Sequence, residues 1–576
     1  MNKLLHTEKT LLGALTAGAF IAVTASCSSD EKIAEVVSKK YASPSDATWH
    51  CHDPKLWQDD DGTYYVFSTG WENGVQQRIS KDLVHWSQTD FAITDWDSEF
   101  RAWVGEKGGS WAPTIHKQNV RYYMFHGIIT GTQPDLHAAI SLAIADSADG
   151  PFVPAVTADS ETYHTSTLVR YSWNNTQSGY ESTCNVGLSW RAGFGAIDPE
   201  FIYDIATGKL VTYIVGTTAC YGVLYGSWKG GLAVIFVDAE TFKPVCTVSG
   251  TSLYDGKTYA VGDVMDAPCD SINGNQGIRV AGGNGTAYEG AQLVYNSDVK
   301  RYYLFVSMGD LGYEYRVGVG RSDVVESFTP ETLPTAFLDP SGRDMNAVTD
   351  IPGDSMYYHN VGGKIIGAQA LQGEYGFTAP GGLSIWRDNR GKILFANHAR
   401  TNYMESWHFM LQIHQLFFTA DGWPVLNQND FYNDYAHLTA DGTESLAPLS
   451  KKEICGVYDA VLTVRNSERG NIESFDGTTK AFSLADGNVT ESCELELCAD
   501  GSIRGAYSGS WTLSRDGYSI ALTLETNEHA PLGEFTGYAL HAVDWARKAG
   551  ARRTITFTTV DASGRCGEYF WGNKRP

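Results

Sequence analysis

The stretch His52-Asp-Pro-Lys-Leu-Trp-Gln-Asp-Asp-Asp-Gly-Thr-Tyr-Tyr-Val-Phe67 decides the fold, because both of its halves recur along the chain. Its second half is a turn followed by a short aromatic and β-branched run, Gly62-Thr-Tyr-Tyr-Val-Phe67. Runs of the same character are Arg121-Tyr-Tyr-Met-Phe125, Gly208-Lys-Leu-Val-Thr-Tyr-Ile-Val215, Arg301-Tyr-Tyr-Leu-Phe-Val306 and Gly391-Lys-Ile-Leu-Phe-Ala396. Each reads as one strand of a hairpin. About ten residues before each stands a second distinctive segment: Asp53-Pro54, Ala112-Pro113, Asp198-Pro199, Glu289-Gly290 and Ala379-Pro380. A strand, turn, strand unit recurring five times predicts sheets repeated radially, a five-bladed β-propeller in an all-β chain. A β-sandwich with chance similarity among tyrosine-rich strands is the alternative.

Composition agrees with strands. The 576 residues include 60 Gly, 31 Tyr, 24 Phe and 16 Trp, a turn-rich and aromatic mixture. A chain this long is expected to hold more than one domain. The formal charge of -24 repels polyanions and argues against nucleic acid as a partner. The N-terminus carries Lys3 and Lys9, an apolar run from Leu11 to Ala25 and then Ser26-Cys27, which reads as an export signal. It resembles a bacterial lipoprotein signal of residues 1–27, in which Cys27 is lipidated, although Thr24 stands where Leu is usual. The expectation is an exported protein, lipid-anchored at the bacterial outer membrane or cell surface, with a periplasmic or secreted protein as the alternative. No later segment reaches the ~18 apolar residues of a membrane span. The other nine cysteines form no metal-ligand spacing and receive no chemistry.

Residues 28–47 read as a linker and 48–430 as the propeller. The repeat stops after Gly422-Trp423-Pro424, and residues 445–576 form a second β-rich region. Gly505-Ala-Tyr-Ser-Gly-Ser-Trp511, Tyr518-Ser-Ile-Ala-Leu-Thr-Leu524, Gly533-Glu-Phe-Thr-Gly-Tyr538 and Thr554-Ile-Thr-Phe-Thr-Thr559 suit a small antiparallel barrel or sandwich. This is read as an accessory domain that packs on the propeller or binds substrate.

The chemistry lies in the segment just before each unit's first strand, where three of the five hold an acid: Asp53, Asp198 and Glu289. In a propeller such positions converge on the axis at one face. Crowded carboxylates repel one another and partial burial adds to this, so at least one keeps its proton. Glycosidic cleavage uses that difference, with one acid protonating the leaving oxygen while an ionised partner activates water or attacks carbon. Taken singly, each Asp-Pro reads as a strand-initiating turn; the repeat-equivalent placement favours the shared pocket.

His52-Asp53-Pro54, Trp111-Ala112-Pro113, Ala196-Ile197-Asp198-Pro199 and Tyr288-Glu289-Gly290, in that order, resemble glycoside hydrolase family 43, and more nearly its endo-acting α-1,5-L-arabinanases. Supporting segments are Ser80-Lys81-Asp82-Leu83-Val84-His85-Trp86, Leu224-Tyr225-Gly226-Ser227-Trp228-Lys229-Gly230-Gly231 and Asp421-Gly422-Trp423-Pro424. The likeness runs from about His50 to Leu426, and the C-terminal region is similar to the extra β-domain of the longer arabinanases. The resemblance implies an inverting hydrolase of internal α-1,5-L-arabinofuranosidic linkages in the plant polysaccharide arabinan. Asp53 matches its general base, Glu289 its general acid, and Asp198 the acid that orients Glu289 and raises its pKa. Inversion places base and acid roughly 6.5–9.5 Å apart. His398, in Phe395-Ala-Asn-His398-Ala-Arg400, matches a histidine that faces the axial cavity and binds an ion, usually taken as calcium with a water shell. His52 and Trp111 flank matched positions, where an aromatic face would stack on a sugar ring.

Three departures stand out. Thr114 replaces the Asp of the family's Trp-Ala-Pro-Asp, Ala379-Pro380-Gly381-Gly382 lacks the histidine of Gly-Pro-Gly-His, and Tyr163 to Gly193 reads as an insertion. The competing readings are an exo-acting α-L-arabinofuranosidase or β-xylosidase, a retaining fructan hydrolase on the same architecture, and a non-catalytic glycan-binding propeller.

Overall fold

A computed structural model describes residues 48, 50–70, 74–93, 109–129, 137–155, 167–172, 195–227, 231–252, 255–269, 276–282, 288–309, 311, 315–346, 362–374, 376–401, 408–431, 448–463, 489–525, 531–544, 547–550 and 552–576. The signal segment with Cys27, the linker to residue 47, and Trp103, Cys184 and Trp228 lie outside the described residues, as does most of 163–193. No helix among the described residues is long and apolar enough to cross a membrane.

Five antiparallel sheets follow one another along the chain. The first consists of Lys55–Gln58, Tyr64–Thr69, Val75–Ser80 and Ser87–Gln88 in sequence order. The second is built on Gly109–Gln118, Arg121–Ile129 and His137–Ala145. The third runs through Glu200–Phe201, Thr218–Tyr225, Leu232–Asp238 and Ile278–Ala281. The fourth is Tyr288–Asn296, Arg301–Met308, Arg316–Val324 and Gly363–Ile366. The fifth is Gly376–Arg387, Ile393–Thr401, Met410–Phe418 and Pro424–Leu426. This is the five-bladed propeller that the repeat predicts.

Four of the five aromatic runs form the second strand of a blade; the third does not. In that blade Glu200–Phe201 and Thr212–Val215 both pair with Thr218–Tyr225, end to end along one edge. They are two pieces of an interrupted first strand. Between them a small hairpin, Tyr203–Asp204 with Lys209–Leu210, leaves the blade and pairs in parallel with Tyr288–Asn296 of the next. The run Gly208–Val215 is therefore first-strand sequence displaced by this hairpin, and the true second strand is Thr218–Tyr225.

Apolar faces of neighbouring blades close on each other. Trp57 sits at such a junction, its ring 5.7 Å from Tyr122 and 6.3 Å from Trp386, and it is core rather than cleft. The C-terminal strands Gly456–Thr463, Cys493–Leu497, Ser502–Gly505, Ser508–Leu513, Ser519–Glu525, Pro531–Asp544, Arg552–Asp561 and Tyr569–Lys574 close into a barrel. Side chains such as Trp511, Phe535, Phe557 and Phe570 fill its interior, as an eight-stranded barrel allows. The barrel docks on the fifth blade. Val461, Val560, Tyr569 and Trp571 join the blade's apolar cluster, and Asn429 and Asn573 exchange two hydrogen bonds of 2.9 Å.

Candidate active site

The first strands converge on a narrow axial cavity of about 20 Å³, lined by one matched pair from every blade. The pairs are Asp53-Pro54, Ala112-Pro113, Asp198-Pro199, Gly290-Ala291 and Gly382-Leu383. The leading residue of each has a left-handed backbone, with φ of 52°, 40°, 56°, 50° and 54°. For the three that are not glycine this costs ~1–2 kcal/mol each, and the shared conformation together with the shared place on the cavity wall marks the five positions as equivalent.

That equivalence corrects the sequence register in two blades. In the fourth blade Gly290 takes the place of Asp53 and Asp198, so Glu289 stands one residue earlier. In the fifth, Gly382 rather than Ala379 lines the cavity, although Ala379 shares the left-handed backbone with a φ of 49°. The strands carry register shifts between Glu289 and Gln292 and on both sides of Gly381, which no repeat alignment of short motifs resolves.

The acids meet at this hub, each with its own partners. Asp53 is buried, which alone would raise its pKa, but His52 above all, with Thr69, outweighs this and holds it at about 2. His52 Nδ1–H donates to Asp53 Oδ2 at 2.6 Å, and Thr69 Oγ1 donates to the same oxygen at 2.8 Å. Thr69 Oγ1 also accepts the Ala112 N–H at 3.0 Å, tying the first blade to the second. Asp53 is thus fixed as a carboxylate.

Glu289 is shifted the other way. Burial raises its pKa, and the Asp53 charge adds to this, against the lowering effect of two hydrogen bonds. Tyr315 Oη donates to Oε1 at 2.7 Å and Ser227 Oγ donates to Oε2 at 3.0 Å. Asp198 is raised well above the carboxylate range by burial and by the charges of Asp53 and Glu289. Its Oδ2 accepts the Gly290 N–H at 3.0 Å, so it reaches the acid by fixing the peptide that follows Glu289.

Tyr315 and Ser227 were not singled out in the sequence. Ser227 lies in one of the family-like segments; Tyr315, at the start of a third strand, carries no motif. Removing the Tyr315 hydroxyl takes away a donor to the Glu289 carboxylate, so the acid's pKa rises. Tyr315→Phe is expected to move the alkaline limb of the kcat/KM profile upward by about half a unit to one unit. An unmoved limb would show that the contact does not reach the acid.

Beneath the acids lies a second missed pair. Lys55 and Glu200, two residues beyond Asp53 and Asp198, form a buried ion pair across the axis, and Thr114 Oγ1 donates to Glu200 Oε1 at 3.0 Å. Alternation along a strand puts residues i and i+2 on one face, so this pair was within reach of the sequence. It also accounts for Thr114: a carboxylate there would face Glu200.

Trp111 is half-buried and packs against the core of the second and third blades. His52 is half-buried, with its ring stacked on His398 at 4.2 Å. His52, Asp53 and His398 place ligand-type atoms within 4.8 Å of one another. These atoms are already spent on each other. His398 Nδ1 accepts the Asp53 N–H at 3.1 Å, which leaves the hydrogen of a neutral ring on Nε2, and burial holds His398 neutral. One carboxylate and two imidazoles supply few of the six to eight oxygens that calcium takes, so a calcium ion held here would draw the rest from water. Gly382 closes the same corner, because a Cβ there would overlap Asp53 Oδ1 and lie 2.6 Å from His398 Nδ1. Gly382→Ala is expected to lower kcat by about a hundredfold or more through displacement of the base; unchanged turnover would contradict that packing.

A propeller whose hub holds one carboxylate with a lowered pKa beside carboxyls whose pKa is raised is a glycosidase architecture. The chain belongs to the glycosyl hydrolases family 43. Residues 48–167 match the model of that family, and residues 433–572 match its C-terminal lipocalin-like domain. A Thermotoga petrophila protein named extracellular endo-alpha-(1->5)-L-arabinanase is 26% identical over 481 residues, covering 80% of this chain and 82% of its own. A probable arabinan endo-1,5-alpha-L-arabinosidase A of Aspergillus flavus is 30% identical over 379 residues, covering 63% of this chain and 86% of its own. The crystal structure of an endo-1,5-alpha-L-arabinanase from Thermotoga petrophila RKU-1 shares the fold, with a TM-score of 0.63 at 23% identity over 91% of this chain and 98% of that one.

Proposed function

We propose that the chain is an exported hydrolase that cuts internal α-1,5-L-arabinofuranosidic linkages of arabinan with inversion of configuration. The carrying observation is the unequal protonation at the hub, with Asp53 ionised and Glu289 held toward its acid form. In this reading Asp53 takes a proton from a water molecule as its oxygen attacks the anomeric carbon. Glu289 gives its proton to the departing sugar oxygen, and the glycosidic C–O bond breaks. Asp198 keeps Glu289 aimed through the Gly290 peptide, and Tyr315 and Ser227 hold the acid's rotamer and temper its pKa. Trp111 and His52 are the proposed sugar contacts.

The choice of arabinan is supported by the relatives' names, and so is export, since two of them are named extracellular. Lipid attachment at Cys27 is the proposed anchor and is tested by radiolabelled palmitate incorporation in wild type against Cys27→Ala. Product profiles on linear arabinan test the cleavage mode. Mixed oligosaccharides from the first minutes are expected, and arabinose alone from the outset would assign an exo-acting enzyme.

Calcium at His398 is a separate proposal, because it requires the imidazole to give up the Asp53 N–H. Chelation followed by calcium addition tests it: activity lost and restored supports the ion, and activity unchanged throughout excludes it.

A further inference from the structure

A second cavity, of about 720 Å³, lies where the propeller meets the barrel and shares no lining residue with the axial one. Its polar side is cationic. Arg387, Arg390 and Lys392 line it from the turn that joins two strands of the fifth blade. Arg387 reaches only the Ile205 carbonyl, at 3.5 Å, and among the described residues neither arginine has a carboxylate within ion-pair distance. In a chain where 67 acids face 43 cations, a concavity lined by Arg387, Arg390 and Lys392 against the single acid Asp298 is a local reversal of sign. Gly391 keeps them there: its φ is 84°, and a Cβ would lie 3.0 Å from Arg387 Nη2.

The opposite side is aromatic. Phe417 and Phe418 come from the blade and Tyr518 and Tyr538 from the barrel, all half-buried. Tyr538 Oη donates to the Phe418 carbonyl at 2.5 Å, and its ring lies 5.7 Å from Phe417 and 6.3 Å from Tyr518. Rings fixed in this way keep their positions without a ligand, which lowers the cost of binding. Among the described residues, the barrel has its interior filled by aromatic side chains. Its contribution to binding lies on its outer wall, at this junction.

We propose that the junction cavity is a second saccharide site that takes a short run of uronate residues, with carboxylates on Arg387 and Arg390 and sugar faces on the aromatic rings. The volume suits a few sugar rings. A neutral glycan would leave both guanidinia unpaired, whereas each can hold a carboxylate through charge-assisted hydrogen bonds. Asp298, the carboxylate on the cavity wall, accepts from sugar hydroxyls. The site does not depend on how the hub cleaves its substrate.

The test is calorimetric titration of the full mature chain with α-1,4-trigalacturonate at low and moderate salt, with triglutamate as an anion without sugar rings. Saturable binding is expected, weaker in salt and weaker by roughly tenfold for each of Arg387→Gln and Arg390→Gln. Hydrolysis of linear arabinan should be unchanged in both variants, which also reports that they fold. Absence of trigalacturonate binding, equal binding by the variants, or equally tight binding of triglutamate would each overturn the proposal.

Discussion

Replacing Asp53 with Asn lowers kcat on linear arabinan by about 10²–10⁴-fold, the range a general base contributes, and the loss is the same for every leaving group. Asn keeps the size of the side chain and its contacts with Thr69 and His52. It removes the capacity to take a proton from water and, with the charge, one of the causes that raise the Glu289 pKa. Glu289→Gln behaves differently, because its task is to protonate the departing oxygen. On arabinan the loss is of the same order, but an aryl arabinofuranoside with an acidic phenol leaves with little help and retains most of its rate. Comparing kcat/KM for the two substrates in the two variants separates the roles. Equal losses on both substrates for Glu289→Gln would remove it as the acid.

The second large effect is on stability. Lys55→Met leaves Glu200 buried without its cation and is expected to cost about 3–5 kcal/mol, read as a shift in the urea midpoint at neutral pH. Burial lowers the Lys55 pKa and raises that of Glu200, each toward its neutral form, so desolvation outweighs mutual attraction for both. The pair is therefore expensive to break and worth little in itself. The sign of the pH dependence follows for Glu200. Its folded pKa lies above the unfolded one, so in Lys55→Met the lost stability returns as pH falls through the raised folded value and Glu200 takes up a proton. Lys55→Met combined with Glu200→Met should recover most of the loss at neutral pH. If the double variant is as unstable as the single one, the axial pair is a net stabiliser.

The sequence carried the architecture through chemistry that is local. Tyr-rich second strands and the Asp-Pro starts are each set by a few neighbouring residues, so they survive as motifs. Gly208–Val215 misled because hydrophobic periodicity does not say which sheet a strand joins; only the pairing of Tyr203–Asp204 with the fourth blade reveals the interruption. The offset of Glu289 was hidden for a related reason, since a bulge changes register without changing composition. Asp53 and Asp198 were legible because they are acids at a repeated position. Tyr315 was not, because a tyrosine in a protein with 31 of them carries no signal until its hydroxyl is seen on Glu289. His398 shows the converse: its position was found, but its tautomer, set by the Asp53 N–H, depends on a contact between residues 345 apart in sequence.

Proton NMR of the first anomer released from an α-linked arabino-oligosaccharide, recorded before mutarotation, tests the hub most directly. Attack by a water held on Asp53 predicts that the β-anomer accumulates first in the wild-type enzyme. Initial accumulation of the α-anomer would mean a carboxylate had bonded to the sugar, and the assignment of Asp53 as base and Glu289 as acid would fail.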